Sequence, residues 1–576
     1  MDAIAWNDWN SEAFERATRE KKPILLSISA VWCHWCHVMD RTTYSDLAVI
    51  ARVNADFVPI RVDNDRRPDI NARYNQGGWP TTAFLTPDGS LLTGATYLPA
   101  EAMRRTLDEI AEFYRTNGAR LEQRDARGIL EPANDPETGS DLDGGTVERV
   151  LDEIVAGYDE SYAGFGTEPK FPMTDALEFL LQSHRLNGDQ RLYEIVANTM
   201  LAMTRGGMYD RVEGGFFRYS TTRDWSIPHF EKMAEDHAGL LRVLAQLLSL
   251  SRNAAFHVAL RSAIGYVCGV LRDPETGLFA GSQDADEEYY SLPLDERRAR
   301  GAPFVDRRSY SNWSAALAGA LLVASDALDD DALRAMGESA LDALHERVRD
   351  DDGLLHHVLE RGAAPQVRGL LADQSAYLRA LLDAHECGGE ARFLRRACEI
   401  ADAVERTLAA PGGGYYDRNG LEDELGALRV KTRPLGDNAL MADSLLRLAA
   451  LEDEPRHHQT AERTLRLFAR TYSRAGSFAA PYARAVQRFF EPASTVTIVA
   501  STAGGAELRE AARCVPNPLV AVRTIAPDDA DELGRRGYAA VVHPVAYVCS
   551  GTACGPAVRE ATQIAAAFET LATSGR

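Results

Sequence analysis

Apolar residues in the first 120 positions fall into short continuous runs separated by stretches with helical spacing. Pro23-Ile-Leu-Leu-Ser-Ile28 and Phe57-Val-Pro-Ile-Arg-Val62 have the length and composition of buried strands. Thr81-Thr-Ala-Phe-Leu85, the turn Pro87-Asp-Gly89 and Leu91-Leu92 predict a hairpin. Helices are predicted over 11–20, from Cys33 through Val38, and over 100–124. The order is β, α, β, α, β, β, α. Residues 121–142 are polar, hold Pro and Gly, and read as a linker.

From 143 to 490 the spacing is helical throughout. Amphipathic stretches run over 143–157, 172–186, 189–204, 233–251, 254–272 and 311–327, then over 331–349, 371–386, 391–409, 436–451, 458–473 and 481–490. A turn of Gly followed by an apolar or aromatic residue recurs at Gly164, Gly214, Gly277, Gly353, Gly413 and Gly476, so each repeat holds two helices. Neither helix of a pair buries its apolar face alone, and neighbours must stack. Six pairs predict a closed ring, an (α/α)6 toroid, over an open solenoid. Beyond it, strands are predicted at 495–500 and 519–523 and helices at 506–514 and 557–571. The expected organisation is 1–120, linker 121–142, toroid 143–490 and a small α/β segment 491–576.

Charge narrows the partners. Among 576 residues, 63 Lys and Arg face 85 Asp and Glu, a net charge of −22. Such a surface repels phosphate backbones and anionic lipid, so neither nucleic acid nor a membrane surface is an expected partner. No uninterrupted apolar run approaches the roughly 18 residues of a spanning helix. The N-terminus lacks a basic-then-apolar pattern. The expected address is cytoplasmic. In that setting the eight cysteines do not read as a disulfide framework. Four form two close pairs, Cys33/Cys36 and Cys549/Cys554; the second reads either as another redox pair exchanging with the first or as two thiols without a role.

Trp32-Cys33-His34-Trp35-Cys36 carries the sharpest chemistry. Cys-x-x-Cys after a buried strand and at a helix start is the thioredoxin arrangement. There Cys33 meets unpaired helix N–H groups that stabilise a thiolate. Cys36, one turn on, can resolve a mixed disulfide. His34 and Trp35 are expected to tune reactivity. Gly77-Gly-Trp-Pro80 precedes the third strand, where a cis Trp79–Pro80 bond would face the cysteines. Cys33-x-x-Cys36-His37 also matches c-type haem attachment and part of a zinc site. No export signal or axial ligand is predicted, and no second close Cys/His pair follows in the domain. Thiol chemistry is the reading taken, without cofactor or metal.

Cys33-His-Trp-Cys-His-Val-Met39, Arg67-Pro-Asp-Ile70, Gly77-Gly-Trp-Pro80, Phe84-Leu-Thr-Pro-Asp88 and Thr96-Tyr-Leu-Pro99 resemble the spermatogenesis-associated protein 20 family. The resemblance continues through Pro169-Lys-Phe-Pro172, Gly206-Gly-Met-Tyr-Asp210, Pro228-His-Phe-Glu-Lys-Met233, Gln283-Asp-Ala-Asp286 and Ala546-Tyr-Val-Cys549. It implies a thioredoxin-like domain joined to a six-hairpin toroid similar to those of N-acylglucosamine 2-epimerases and unsaturated glucuronyl hydrolases. The departures fall mainly in the toroid's polar interior: Phe217 stands where the family has His, and His237 where it has Asn.

Asp210, Arg218, Trp225, His229, Glu231, Asp236, Asp284 and Asp286 lie near the Gly turns, where one mouth of a toroid would gather them. Carboxylates with His and Trp suit sugar chemistry, with His229 or His237 as base in an epimerase or an Asp as general acid in a hydrolase. The same residue types also serve as helix caps and structural ion pairs. Asp373 and Tyr377 are weaker candidates. The expected function is thiol–disulfide exchange at Cys33 and Cys36, with the toroid offering the surface for protein thiols and disulfides or a small molecule, sugars included. A sugar-acting isomerase or hydrolase with a structural thioredoxin-like domain, and a non-catalytic scaffold, are the alternatives. Nothing in the sequence sets the oligomeric state.

Overall fold

The computed structural model describes residues 3–121, 140–420, 424–538, 542–551 and 553–574. The expected linker lies almost wholly outside them.

The first domain runs α1 (Ser11–Glu20), β1 (Ile24–Ser29), α2 (His34–Thr42), α3 (Leu47–Asp56), β2 (Val58–Asp63), α4 (Pro68–Tyr74), β3 (Thr81–Leu85), β4 (Leu91–Ala95) and α5 (Ala100–Leu121). The sheet order is β2-β1-β3-β4, with β1 parallel to β2 and antiparallel to β3. The continuous apolar run of β1 follows from burial on both faces. Ile24, Leu26 and Ile28 pack with Phe14 of α1 and Tyr74 of α4, while Leu25 packs with Met39, Val53 and Leu107 of α2, α3 and α5. The sequence reading missed α3, which Asp46 caps by accepting the Ala48 and Val49 N–H groups.

The second domain holds α6 (Gly145–Ala156), α7 (Thr174–Asn187), α8 (Gln190–Arg205), α9 (Ala234–Ser251), α10 (Ala254–Tyr266), two short helices, α11 (Glu287–Tyr290) and α12 (Leu294–Arg300), then α13 (Ser311–Leu328), α14 (Asp331–Arg347), α15 (Leu371–Gly388), α16 (Ala391–Thr407), α17 (Leu435–Glu452), α18 (Pro455–Phe468) and α19 (Ala480–Phe490). All twelve anticipated helices form. Neighbour packing runs α7-α9-α13-α15-α17-α19 and back to α7, an inner ring, with α6, α8, α10, α14, α16 and α18 outside it. Closure is polar as well as apolar. Arg484 of α19 donates to Glu178 of α7 at 2.6 Å, and Gln182 of α7 donates to Gln487 of α19 at 2.9 Å. The ring is closed, so the open-solenoid alternative is removed. Each recurring Gly turn joins an outer helix to the next inner one at positive φ. Phe165, Phe216, Phe279, Leu355 and Tyr415, just after five of these turns, each bridge back to the end of the outer helix.

Ala254–Leu271, which is α10 and its π-helical end, has the length and mean hydropathy (1.5) of a membrane span. Here it is an outer helix of the ring, packed on α9.

Residues 494–574, where two strands and two helices are expected, hold a four-stranded sheet. Strands Ser494–Val499, Ala521–Ile525, Val545–Ser550 and Ala553–Cys554 form a sheet in which the first strand is parallel to the second and antiparallel to the third. That is the order and sense of the N-terminal sheet. The segment covers the end of the ring where the inner helices finish. Arg185 donates to the Val515 carbonyl at 2.7 Å and Arg523 to the Leu451 carbonyl at 2.6 Å. The N-terminal domain sits on the opposite end, where Tyr74 accepts the Ala427 N–H at 2.7 Å and Arg73 pairs with Asp417 at 2.7 Å.

Candidate functional site

After β1 the chain turns through Ala30-Val31-Trp32, and Cys33 becomes the N-cap of α2. Its Sγ accepts the Cys36 N–H at 3.2 Å. Cys33 and Cys36 are joined as a disulfide, with Cα atoms 5.2 Å apart. The Trp79–Pro80 bond is cis and opens β3. Trp32 donates its Nε1–H to Asp65 at 2.7 Å. Burial, with Asp63 nearby, pushes the Asp65 carboxyl up to about 7 against the stabilising bonds from Trp32 and Asn64.

The toroid closes over this pair. Cys33 and Cys36 are only 4% and 3% exposed, in one cluster with Trp32, Met233 and Trp313. The Arg218 guanidinium lies 4.0 Å from the Trp32 ring and 5.4 Å from that of Trp79. His37 stands 3.6 Å from Asp284, whose carboxyl burial raises while His37 pulls it back. Trp35, by contrast, is 51% exposed and edges onto Tyr97. His357 of the toroid ties the domains together: its Nε2–H donates to the Asp65 carbonyl at 2.8 Å, and its Nδ1 faces Asp373 at 2.9 Å.

The toroid candidates divide. Arg218 and Asp284 meet the Trp32–His37 segment that holds the two cysteines. Asp236 follows Met233 on the first turn of α9; burial raises its carboxyl to about 7, and one carboxylate oxygen has no partner. The others do not form one mouth cluster. Asp210 is buried between Lys232 at 2.8 Å and Arg297 at 2.7 Å, a structural ion knot. Trp225 is fully buried, with Nε1–H donated to the Tyr162 and Ala163 carbonyls. Asp286 caps α11 by accepting the Tyr289 N–H at 2.9 Å. His229 is bonded to Glu231 and stacks on Tyr219. His237 is spent inside the core, donating from Nδ1 to the Met233 carbonyl at 2.6 Å and accepting the Phe216 N–H at Nε2. Burial lowers it to about 4. Phe217 fits this interior, packed edge-on against Phe230 and Tyr290. The Tyr377 hydroxyl is buried without a partner. Among the described residues no group of three or more His, Cys, Asp or Glu is placed to hold a metal.

Cys549 and Cys554 pair as a disulfide across the last hairpin of the C-terminal segment. They lie beyond the far end of the inner helices, about 27 Å for an 18-residue helix at 1.5 Å per residue. Direct exchange with Cys33/Cys36 inside one chain is therefore excluded.

Fold and site define a thioredoxin-like domain seated on an (α/α)6 toroid. A family model described as Thioredox_DsbH, "Protein of unknown function, DUF255", matches residues 1–131. Human spermatogenesis-associated protein 20 is 34% identical over 307 residues, covering 49% of this chain and 39% of that protein. The mouse protein is 27% identical over 579 residues, covering 77% and 73%. The chain thus spans about two fifths of the human relative in the matched stretch. Cellobiose 2-epimerase from Bacillus thermoamylovorans aligns over 60% of this chain and 99% of its own, at 11% identity and a TM-score of 0.49. The sequence matches agree with the resemblance carried by the motifs: the chain is similar to spermatogenesis-associated protein 20 of human and mouse.

Proposed function

We propose that the protein is a thiol–disulfide oxidoreductase working through Cys33 and Cys36. One observation carries the reading: Cys33 caps α2 with its sulfur on a backbone N–H and its mate at bonding distance. In the reduced form, that N–H and the helix end favour the thiolate. The Cys33 thiolate attacks a substrate disulfide, forms a mixed disulfide and releases one substrate thiolate. Cys36 then attacks Cys33, releasing the second and closing the cystine. Two electrons pass to the substrate, and an external dithiol restores the pair. The deep burial of both sulfurs favours substrates that are small or extended over a folded protein surface. A sugar-acting toroid keeps only His229 as a candidate base, since both nitrogens of His237 are engaged.

The test is dithiothreitol-driven disulfide reduction by wild type and Cys33→Ser, with activity expected in the first alone; equal rates would sink the proposal. His34 opens α2 next to the cysteine. His34→Ala is expected to make the pair less oxidising, because a charged imidazole there stabilises the thiolate form. Redox titration against glutathione reads the shift, and an unmoved potential removes that role.

A further inference from the structure

The bore of the toroid holds a chamber of about 300 Å³ at the end facing the N-terminal domain, lined by the first turns of all six inner helices. Four carboxylates line it: Glu178 at the floor, and around the mouth Asp175 of α7, Glu235 of α9 and Asp437 of α17. Asp175 and Glu235 are exposed to it although they lie inside the ring. Among the described residues none of the three has a hydrogen-bond or ion-pair partner. Burial raises all three, Asp437 to about 7 with Asp417 and Asp373 adding repulsion. Helix starts favour such acids, but none of the three caps its own helix. They form a collar of acids with no direct ion pair, offset only through space by Arg484 and Arg379 at Asp175 and by Arg218 at Glu235, and a cationic group placed among them would favour their ionised form.

The floor is cationic. Arg379 and Arg484 share Glu178, and Arg242 pairs with Asp383 at 2.6 Å. Arg484 is 5% exposed, lines the chamber, and leaves its Nε–H unpartnered. A buried guanidinium with a free donor is costly unless something accepts from it. The upper wall includes Trp313, which also packs against the Cys33/Cys36 cluster. The Trp313 side chain therefore borders both the chamber and the cluster that holds Cys33 and Cys36.

A ligand that satisfies both ends carries an ammonium for the collar and a carboxylate for the floor. That is an α-amino-acid group, and the volume is at the small end of ligand pockets. We propose that the chamber is the recognition subsite for the α-amino-acid end of a low-molecular-mass disulfide, whose sulfur–sulfur bond is then presented past Trp313 to Cys33. This rests on the oxidoreductase reading and names its substrate class. Cys33 forms a mixed disulfide with one half of the ligand and expels the other as its thiolate. Cys36 expels the remaining half, and the ligand gains the two electrons that the dithiol loses.

The probes are L-cystine and the neutral bis(2-hydroxyethyl) disulfide. Wild type, with dithiothreitol as reductant, is expected to reduce cystine with at least tenfold higher kcat/KM. Gly436 lines the chamber, and a side chain there meets open space. Gly436→Leu is expected to fill the chamber and collapse that preference towards one, as is Glu235→Gln together with Asp437→Asn; thermal melting verifies that each variant is folded. Calorimetric titration of cystine into Cys33→Ser/Cys36→Ser reads binding without exchange. Binding there that Gly436→Leu abolishes supports the chamber even if no disulfide turns over, an outcome that would sink only the oxidoreductase reading. Turnover of both probes with equal kcat/KM, unchanged by Gly436→Leu, overturns the chamber and leaves exchange standing. No binding and no turnover overturns both.

Discussion

Cys33→Ser is expected to reduce disulfide turnover to the uncatalysed rate, whereas Cys36→Ser is expected to accumulate a mixed disulfide at Cys33. The asymmetry follows from position. Cys33 sits where the first N–H groups of α2 converge, and its sulfur already accepts one of them. Cys36 lies inside the first turn and has its own N–H committed to that sulfur. Of the two, Cys33 is the one whose sulfur meets a backbone donor that favours a thiolate. Without Cys36 the first exchange still proceeds, but nothing within reach displaces the bound half. Mass spectrometry of each variant after exposure to cystine distinguishes the roles: an adduct is expected on Cys36→Ser and none on Cys33→Ser. An adduct on both in equal amount would reverse or erase the assignment. Alkylation of the reduced wild type below pH 8 is expected to label Cys33 first.

The strands of the thioredoxin-like domain, and its helices apart from α3, were legible because local pattern and burial agree there. Ile24 to Ile28 is apolar on both faces because helices cover both faces. The twelve toroid helices were legible for the same reason, and the Gly turns marked the joints. The second sheet was not, because its order depends on pairing Ser494 with Ser550 across 56 residues, which no local signal specifies. The site was half legible. Cys33, Cys36 and Pro80 stand in short motifs with fixed spacing. Asp65 and His357 are 292 residues apart and meet only through domain docking. Asp175, Glu235 and Asp437 look in sequence like ordinary first-turn acids, and only the closed ring makes them converge. His237 was a candidate base on residue type, but Gly215 lets the backbone close on its Nε2 so tightly that a Cβ at that position would lie 2.8 Å from it.

His357→Leu is expected to destabilise the protein by about 3–5 kcal/mol near pH 6, the usual cost of breaking a buried ion pair and stranding one partner. The imidazole is 2% exposed. The Asp65 carbonyl only accepts, so Nε2 carries a proton; the Asp373 oxygen facing Nδ1 also accepts the Asn312 N–H at 2.9 Å, so it acts as an acceptor towards Nδ1 as well. Both nitrogens donate, and the ring is an imidazolium. Burial opposes that charge, but Asp373, through its charge and its hydrogen bond, outweighs it and raises the histidine above its ordinary value. The sign of the pH effect follows. The folded state holds this proton more tightly than the unfolded chain does, so the contribution is complete below the unfolded pKa of about 6.5 and is lost as pH rises through the higher folded value. Melting temperature of the wild type should therefore fall across that window faster than that of His357→Leu, which has no proton to lose there. Because the same bond fixes the backbone of Asp65, which holds Trp32 behind the cysteines, the variant should also expose Cys33 to faster alkylation. Parallel melting curves from pH 6 to 9 would mean that the ring stays neutral and joins the domains only through its Nε2–H bond to the Asp65 carbonyl.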